Sequence, residues 1–356
     1  QAGHKVGLIG TIQNIIGEQT LPAKNTTPDA YELHSLFALM EKAGCEYVVM
    51  EVSSHALDQK RVYGLSFLCG VFTNLTQDHL DYHQTMENYL QAKLQLFQMC
   101  QTAVINADDS YAKRVVESCN CKTLTVSAVS NDADFSAKEI KYKTGSVSYE
   151  LVTTGAIGRV TVHTPGIFSV YNSMLAGVVG IAIGMDFHDV VRYLCNSSGV
   201  KGRVEVVPSD RDFTMIIDYA HTPDELENVL KMLNQIKKGR LVTLFGCGGD
   251  RDKGKRPIMG EIAARLSDVV IVTSDNPRSE NPGKIIEDIL QGMKDSETPY
   301  TVIENRADAI RYAIDNAQTD DVLLFAGKGH ETYQILNSGT IHFDEREVIR
   351  DALKKD

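Results

Sequence analysis

Charged side chains and glycines follow most of the strand-like runs in the second half of the chain. These segments are Asp218-Tyr219-Ala220-His221, Gly246-Cys247-Gly248-Gly249-Asp250-Arg251, Asp275-Asn276-Pro277-Arg278 and Gly327-Lys328-Gly329-His330-Glu331. Arginine can pair with a carboxylate through two parallel hydrogen bonds, acidic side chains can hold an ammonium group, and glycines let a ligand approach the backbone. The pattern indicates a binding site for an amino-acid-like zwitterion.

Considered alone, Asp218 and His221 could be an ordinary loop aspartate and a solvated histidine. Thr222 and Glu225 have the spacing of a capping box, with Pro223 at the first helical position, which places both residues on the loop before a helix. Because polar groups recur at the other strand ends, a shared site is favoured over chance.

Residues in the first half suggest a second site. Lys93 lies beside an apolar helical stripe, so it either extends its ammonium group to solvent or is neutralised by a partner. His79 and His83 have the spacing of residues that share a helix face, as a zinc pair would, but the H-E-x-x-H arrangement is absent. The surrounding carboxylates, with Glu51 at the end of its own strand, favour magnesium.

A helix start is predicted at Thr26-Thr27-Pro28-Asp29, with threonine as the N-cap and Pro28 at the first helical position. Such a helix start presents free N–H groups. The segment is therefore a candidate anion site.

The elements that must position these residues differ between the two halves. In the second half, strand-like runs ending at Asp218, Gly246, Thr273, Ile303 and Gly327 alternate with helical patterns. This predicts a doubly wound, mostly parallel α/β sheet whose ligands lie at the carboxyl ends of the strands. For the less regular first half, the predicted strands are Tyr47–Val52, Gly70–Thr73 and Ala103–Asn106, the helices are Asp29–Ala43, Met86–Met99, Tyr111–Glu117 and Asn172–Ile183, and an antiparallel meander covers Ala133–Val162.

The chain has 356 residues, so two domains are expected, over residues 1–200 and 201–356. Its net charge of -11 argues against a general binder of nucleic acid. Seven scattered cysteines without a C-x-x-C pair argue against a disulfide framework, and no apolar run or leader predicts membrane insertion or export. We expect a cytoplasmic monomer that binds neither nucleic acid nor membrane.

The motifs, in their order, resemble those of the Mur ligase family along essentially the whole chain. They are NTT at Asn25–Thr27, EVSSHAL at Glu51–Leu57, TNLTQDHLDYH at Thr73–His83, YLQAK at Tyr89–Lys93, GRVE at Gly202–Glu205, DYAHTPDEL at Asp218–Leu226, FGCGGDRDKGKRP at Phe245–Pro257, DNPR at Asp275–Arg278 and GKGHE at Gly327–Glu331. The resemblance implies a central ATPase-type α/β domain, incomplete at its N-terminus, followed by a Rossmann-like doubly wound domain that binds the amino acid.

The activity that the resemblance implies is ATP-dependent amide-bond formation in peptidoglycan precursor synthesis. ATP and Mg²⁺ are the implied cofactors, and magnesium would neutralise charge on the phosphoryl group. The D-glutamate side chain of UDP-N-acetylmuramoyl-L-Ala-D-Glu is activated as an acyl phosphate, and an amine of meso-diaminopimelate then attacks it.

The resemblance also assigns roles to individual residues. The implied catalytic and metal-site residues are Glu51, His79 and Lys93, the last of them as its carbamate. The implied contacts of the muramoyl peptide are Thr26, Thr27, Ser53, Gln59 and Arg61. The implied nucleotide contacts are Asn172, Arg203, Asp218 and His221, and the implied amino-acid contacts are Arg251, Asp275, Asn276, Arg278, Gly327 and Glu331.

The sequence disfavours three alternatives to a diaminopimelate-adding ligase. A lysine-adding Mur ligase is disfavoured because the arginine that matches Arg278 marks the diaminopimelate-adding members. EVSSHAL and DNPR together argue against a folylpolyglutamate synthetase-like ligase. A degenerate, non-catalytic binding protein should have lost part of the site. None of its residues is lost here, as the sequence retains Lys93, Glu51, His79, Arg251 and Arg278.

No G-x-x-x-x-G-K-[ST] loop occurs in these residues. In the family, that loop and its helix come immediately before the segment that matches Gln1–Thr11. We therefore expect these residues to correspond to the family protein without its first domain and ATP-binding loop, and to be inactive by themselves.

Overall fold

The chain, seen as a computed structural model that describes residues 1–76 and 78–354, folds into two compact units. The first comprises Gln1–Ile140, Ser148–Thr161 and Val170–Asn196, and the second comprises Lys141–Val147, Val162–Ser169 and the residues from Ser197 onward. Gln77, which belongs to the TNLTQDHLDYH motif, and the last two residues of the predicted second domain lie outside the described residues.

The elements before residue 197 form two sheets and seven α-helices among the described residues. They are β1 (Val6–Ile9), β2 (Gln13–Ile16), β3 (Gln19–Pro22), α1 (Ala30–Lys42), β4 (Tyr47–Met50), α2 (Ser54–Asp58), β5 (Phe67–Phe72), α3 (Leu80–His83), α4 (Met86–Leu94), a 3-10 helix (Gln95–Gln98), β6 (Cys100–Asn106), α5 (Ala112–Ser118), β7 (Lys122–Ser127), β8 (Phe135–Lys143), β9 (Ser146–Thr153), β10 (Ala156–Val162), α6 (Ile167–Ala182) and α7 (Phe187–Cys195). One sheet has the order β3-β2-β1-β4, and the other has the order β10-β9-β8-β7-β6-β5. The β1–β4 and β5–β6 pairs are parallel.

Apolar packing fixes α4 in the first unit. Leu90 and Phe97 are buried and pack with Phe72 of β5 and Ile105 of β6. The core thereby holds the helix that carries Lys93 against the parallel strands.

The second unit contains the predicted doubly wound sheet. Its elements from residue 197 onward are β11 (Glu205–Val207), β12 (Thr214–Asp218), α8 (Pro223–Ile236), β13 (Leu241–Phe245), α9 (Lys255–Leu266), β14 (Val269–Val272), α10 (Pro282–Gln291), β15 (Tyr300–Val302), α11 (Arg306–Asp315), β16 (Val322–Ala326), β17 (Tyr333–Leu336), β18 (Gly339–His342) and α12 (Glu345–Leu353). The strand order is β11-β12-β16-β13-β14-β15, with β11 antiparallel to its neighbour and the other pairs parallel.

Alternate residues of these strands face two separate cores, as expected for a sheet covered on both faces. Ile216 packs in the core that includes residues of α8, α9 and α10, whereas Ile217 packs in the core that includes residues of α11 and α12. The α/β prediction for this half is confirmed. The capping box of Thr222 and Glu225, with Pro223 at the helix start, is confirmed as well.

The structure differs from the predicted elements in places. The helix predicted over Met86–Met99 ends at Leu94 and continues as a 3-10 helix. The hairpins β2–β3 and β17–β18 were not predicted, because their strands are short and β18 is exposed along its whole length. Within the described residues, none of the helices combines the length and apolar character that a membrane span requires.

Candidate active site

Glu51 and Lys93 line one cavity of about 680 Å³ in the first unit. Glu51 directly follows β4, and its Oε2 accepts a hydrogen bond of 2.6 Å from Thr11 Oγ1. The Lys93 ammonium nitrogen lies 5.1 Å from the centre of the Tyr89 ring. Burial lowers the pKa of Lys93, and the nearby charge of Asp78 opposes that shift.

His79 approaches the same aromatic ring, with the two ring centres 5.9 Å apart. Its backbone has a φ of 55°, in the left-handed region, and it lies just before the first residue of α3. The expectation that His79 and His83 share a helix face was therefore wrong, because only His83 is helical. Among the described residues, no group of three or more His, Cys, Asp or Glu side chains has the geometry of a metal site.

The donors at this place fit a metal ion only if Lys93 is modified. Glu51 offers a carboxylate and His79 an imidazole, whereas an unmodified lysine is a cation and repels a metal. A carbamate on Lys93 would add oxygen donors of the kind that magnesium prefers. The donor chemistry is therefore consistent with magnesium held by Glu51, His79 and the carbamate.

His83 has a structural partner that the sequence did not reveal. Its Nε2 lies 2.9 Å from Ser54 Oγ, and its buried ring stacks on Tyr89 with 5.1 Å between ring centres. Burial lowers the pKa of His83, and the neighbouring His55 lowers it further. These contacts link the start of α2 to the helix that carries Lys93.

Four of the residues expected to hold the muramoyl peptide are connected by hydrogen bonds. Thr27 Oγ1 donates to the Glu51 carbonyl at 2.8 Å and accepts from Ser53 N–H at 3.0 Å. Arg61 Nη1 donates to the Thr27 carbonyl at 2.9 Å, and its Nε donates to Gln59 Oε1 at 3.0 Å. The structure brings these residues together beside Glu51.

The predicted helix start near these residues was wrong. Asp29, not Thr27, is the N-cap of α1, and its side chain accepts from the Glu32 N–H at 2.9 Å. The Thr27 hydroxyl is instead used to hold the segment after β4. Thr26 lies nearby, with its Oγ1 3.0 Å from Thr11 Oγ1.

Three of the expected nucleotide contacts lie at one end of the sheet in the second unit. Asp218 is buried and accepts from Val204 N–H at 2.7 Å and Ala220 N–H at 2.8 Å. Burial raises the pKa of Asp218, and these two hydrogen bonds oppose the increase. The guanidinium of Arg203 lies 5.1 Å from the centre of the Tyr219 ring.

The ring of His221 is 4.7 Å from that of Tyr219, so the aromatic ring connects Arg203 with His221. The DYAH motif contains Tyr219, but nothing in the sequence indicates that its ring would contact both of these side chains. Asn172 is exposed on α6, in the first unit.

The residues expected to bind the amino-acid substrate lie together in the second unit, where two backbone segments pass close to each other. Gly249 N–H donates to the Asn276 carbonyl at 2.9 Å, and a Cβ on Gly249 would lie 1.9 Å from the Pro277 carbonyl oxygen. Glycine is therefore required there. Asn276 Nδ2 donates to Glu331 Oε2 at 3.0 Å, and a Cβ on Gly327 would lie 2.8 Å from Asp275 Oδ2.

The two arginines flank Gly248. A Cβ on that glycine would lie 2.8 Å from Arg278 Nη1 and 3.8 Å from Arg251 Cγ. Arg278 Nη1 donates to the Gly249 carbonyl at 2.8 Å, and Arg251 Nη1 to the Asp250 carbonyl at 3.4 Å. Two guanidinium groups at one loop suit an amino acid that carries more than one carboxylate.

Three buried charged side chains also occur in the second unit. Lys328 is fully buried and donates to Glu331 Oε2 at 2.8 Å and Asn276 Oδ1 at 3.3 Å. Arg306 and Glu345 form a buried ion pair of 2.8 Å. Lys328 was visible inside GKGHE, whereas no sequence pattern pointed to Arg306 and Glu345.

Two family models match the chain, the Mur ligase middle domain over residues 2–180 and the glutamate ligase domain of Mur ligases over residues 202–329. The chain belongs to the Mur ligase family. A UDP-N-acetylmuramoyl-L-alanyl-D-glutamate–2,6-diaminopimelate ligase from Caldanaerobacter subterraneus subsp. tengcongensis is 48% identical over 354 residues, which cover 99% of this chain and 73% of the relative. A ligase of the same name from Clostridium acetobutylicum is 47% identical over 356 residues, with 99% and 73% covered.

Solved structures are similar as well. One described as a UDP-N-acetylmuramoyl-L-alanyl-D-glutamate–2,6-diaminopimelate ligase has a TM-score of 0.75 and 36% identity, covering 98% of this chain and 72% of that one. A MurF ligase from Thermotoga maritima in complex with ADP has a TM-score of 0.65 and 16% identity, covering 99% of this chain and 74% of that one. The second likeness concerns the fold alone.

Proposed function

We propose that this chain carries the catalytic and amino-acid-binding residues of a ligase that adds meso-diaminopimelate to UDP-N-acetylmuramoyl-L-Ala-D-Glu. The observation that carries the proposal is the convergence of Arg251, Arg278, Asn276 and Glu331 around the glycine loop of the second unit. The relatives named for this reaction support the same substrate pair. Residues 1–200 form the ATP-binding and catalytic domain, and residues 201–356 form the amino-acid-binding domain.

In the proposed reaction, the γ-phosphoryl group of ATP passes to the side-chain carboxylate of D-glutamate, giving an acyl phosphate and ADP. The amine of diaminopimelate attacks the acyl carbon, so that an amide forms and phosphate leaves. Magnesium, when bound by Glu51, His79 and carbamylated Lys93, would neutralise charge on the phosphoryl group.

The remaining residues bind and orient the substrates. The muramoyl peptide is held next to Glu51 by Thr26, Thr27, Ser53, Gln59 and Arg61. The proposed contacts of the nucleotide are Asn172, Arg203, Asp218 and His221. The guanidinium of Arg278 receives the distal carboxylate of diaminopimelate, since a planar fork of donors matches a carboxylate.

The test is a phosphate-release assay with product mass analysis, run with ATP, Mg²⁺, UDP-N-acetylmuramoyl-L-Ala-D-Glu and either diaminopimelate or lysine. An active preparation of the enzyme should release phosphate with diaminopimelate and form a product heavier by one diaminopimelate residue. Faster incorporation of lysine would refute the amino-acid assignment. The cytoplasmic location and monomeric state stay predictions.

A further inference from the structure

The loop from Asp275 to Arg278 is held by the hairpin β17–β18. Gln334 Nε2 donates to the Asp275 carbonyl oxygen at 2.6 Å. Ile335 N–H donates to Asn276 Oδ1 at 2.9 Å, and the Ile335 carbonyl accepts from Arg278 N–H at 3.0 Å. Two consecutive hairpin residues thus fix both ends of the loop.

Arg278 needs such restraint because of its backbone conformation. Its φ of 52° lies in the left-handed region, which is unfavourable for a residue with a Cβ. The side chain leaves this backbone to donate from Nη1 to the Gly249 carbonyl at 2.8 Å. The position of the guanidinium therefore depends on how firmly the backbone of Arg278 is held.

Gln334 differs from Ile335 in how it contributes. Ile335 acts through backbone atoms that any residue except proline would supply, whereas Gln334 acts through its side-chain amide. Gln334 is 8% exposed, so water does not readily replace its amide at the Asp275 carbonyl. Burying a carbonyl without a hydrogen-bond donor destabilises the conformation of the loop that carries it, so the loop becomes freer to move.

We propose that Gln334 is a positioning residue of the amino-acid site and, through Arg278, sets the preference for diaminopimelate over lysine. The inference rests on the proposed function, because it takes the Arg278 guanidinium as the group that receives the distal carboxylate. Gln334 itself does not touch the reacting atoms. Its loss should therefore act on diaminopimelate binding and leave the binding of ATP unchanged.

The experiment compares Gln334→Ala and Gln334→Glu with the parent enzyme in an active preparation. Loss of one donor to a buried carbonyl is expected to raise KM for diaminopimelate about tenfold, with a smaller change in kcat and none in KM for ATP. The preference for diaminopimelate over lysine should fall by a similar factor. Gln334→Glu should behave like Gln334→Ala, because a carboxylate offers no donor to a carbonyl.

Asn234→Ala is the matched control. Asn234 Nδ2 also donates to a distant carbonyl, that of Leu266, at 2.6 Å, but from α8 rather than from the hairpin. It should lower stability without changing KM for diaminopimelate. The double variant Gln334→Ala/Arg278→Ala should lose no more of the preference for diaminopimelate than Arg278→Ala alone, since both substitutions act through the Arg278 guanidinium.

Hydrogen exchange of the backbone amides in the loop from Asp275 to Arg278 tests the role of Gln334 independently of the ligase reaction. The Arg278 N–H should exchange faster in Gln334→Ala than in the parent or in Asn234→Ala. If the parent does not ligate diaminopimelate, the proposed function fails, and the role of Gln334 in selectivity fails with it. The hydrogen-exchange rates would still show whether Gln334 holds the loop. Unchanged exchange, or faster exchange with an unchanged KM and preference, would overturn the inference.

Discussion

The ammonium nitrogen of Lys93 lies 5.1 Å from the centre of the Tyr89 ring, and the same ring has His83 stacked on it. An aromatic face stabilises a cation but offers no anion to neutralise it. Burial lowers the pKa of Lys93 although the nearby charge of Asp78 opposes that shift, and a lower pKa increases the fraction of neutral amine. A neutral amine is the form that reacts with carbon dioxide, so this environment favours carbamate formation on Lys93.

The first prediction concerns that modification. Incubation with ¹³C-bicarbonate should give a carbamate carbonyl signal in the NMR spectrum of the parent and none in Lys93→Arg. Because arginine keeps the charge but cannot form the carbamate, ligation by Lys93→Arg should fall by about 100-fold or more, as for loss of a catalytic electrostatic group. Tyr89→Phe keeps the ring and should keep the signal. Full activity of Lys93→Arg would exclude a role for the carbamate.

The second prediction separates the backbone of Arg278 from its guanidinium. The left-handed region costs a residue with a Cβ roughly 1–2 kcal/mol, while glycine loses about 0.5–1 kcal/mol more entropy on folding. Arg278→Gly should therefore be more stable than Arg278→Ala by about 0.5–1 kcal/mol in urea denaturation. Both variants should lose the preference for diaminopimelate. An alanine variant as stable as the glycine variant would show that the positive φ of 52° is not retained.

The strands of the second unit could be predicted because each is a short apolar run bounded by glycine or polar residues, and the parallel arrangement follows from alternation with helices. Asn276 and Glu331 could be placed in one site for the same reason, since strand ends meet at one edge of the sheet. The strand order, with β16 between β12 and β13, depends on packing of the two cores and has no local pattern.

Other features depend on contacts between residues far apart in sequence. Gln334 is 59 residues from the Asp275 carbonyl to which it donates, and Arg306 is 39 residues from Glu345. Spacing rules for helices and strands carry no information at such separations. The helical position predicted for His79 was wrong because its backbone is left-handed and the helix begins only at Leu80.

The third prediction concerns the buried Lys328. Its ammonium group pairs with Glu331 Oε2 at 2.8 Å, so Lys328→Met would leave that carboxylate without its cation. Removal of one partner of a buried ion pair costs about 3–5 kcal/mol, and the unfolding free energy should fall by that order. KM for diaminopimelate should rise as well, because Glu331 also holds Asn276.

Two further variants show whether the loss of stability comes from the unpaired charge of Glu331. Lys328→Met combined with Glu331→Gln should recover part of the lost stability, since no charge is then left unpaired. Lys284→Met, at an exposed lysine of α10, should leave stability nearly unchanged. A Lys328→Met variant as stable as the Lys284→Met control would contradict the ion pair.

The last prediction concerns pH and the pair of Arg256 with Glu280. Arg256 is buried and its Nη2 donates to Glu280 Oε1 at 2.8 Å, which, with a hydrogen bond from Asp250 N–H, lowers the pKa of Glu280 from 4.5 to about 2. A carboxyl group whose pKa is lower in the folded chain contributes stability above its unfolded pKa and loses it as pH falls through its folded pKa. The stabilisation by Glu280 should therefore be complete above about pH 5 and decline from there towards about pH 2.

Urea denaturation at pH 5, 4 and 3 measures this contribution. The parent should lose more unfolding free energy over this interval than Glu280→Gln, whose side chain does not titrate. Glu297→Gln provides a carboxylate control elsewhere in the same unit and should keep the pH dependence of the parent. Parallel pH profiles for the parent and Glu280→Gln would mean that the carboxylate of Glu280 gains nothing from Arg256 in the folded chain.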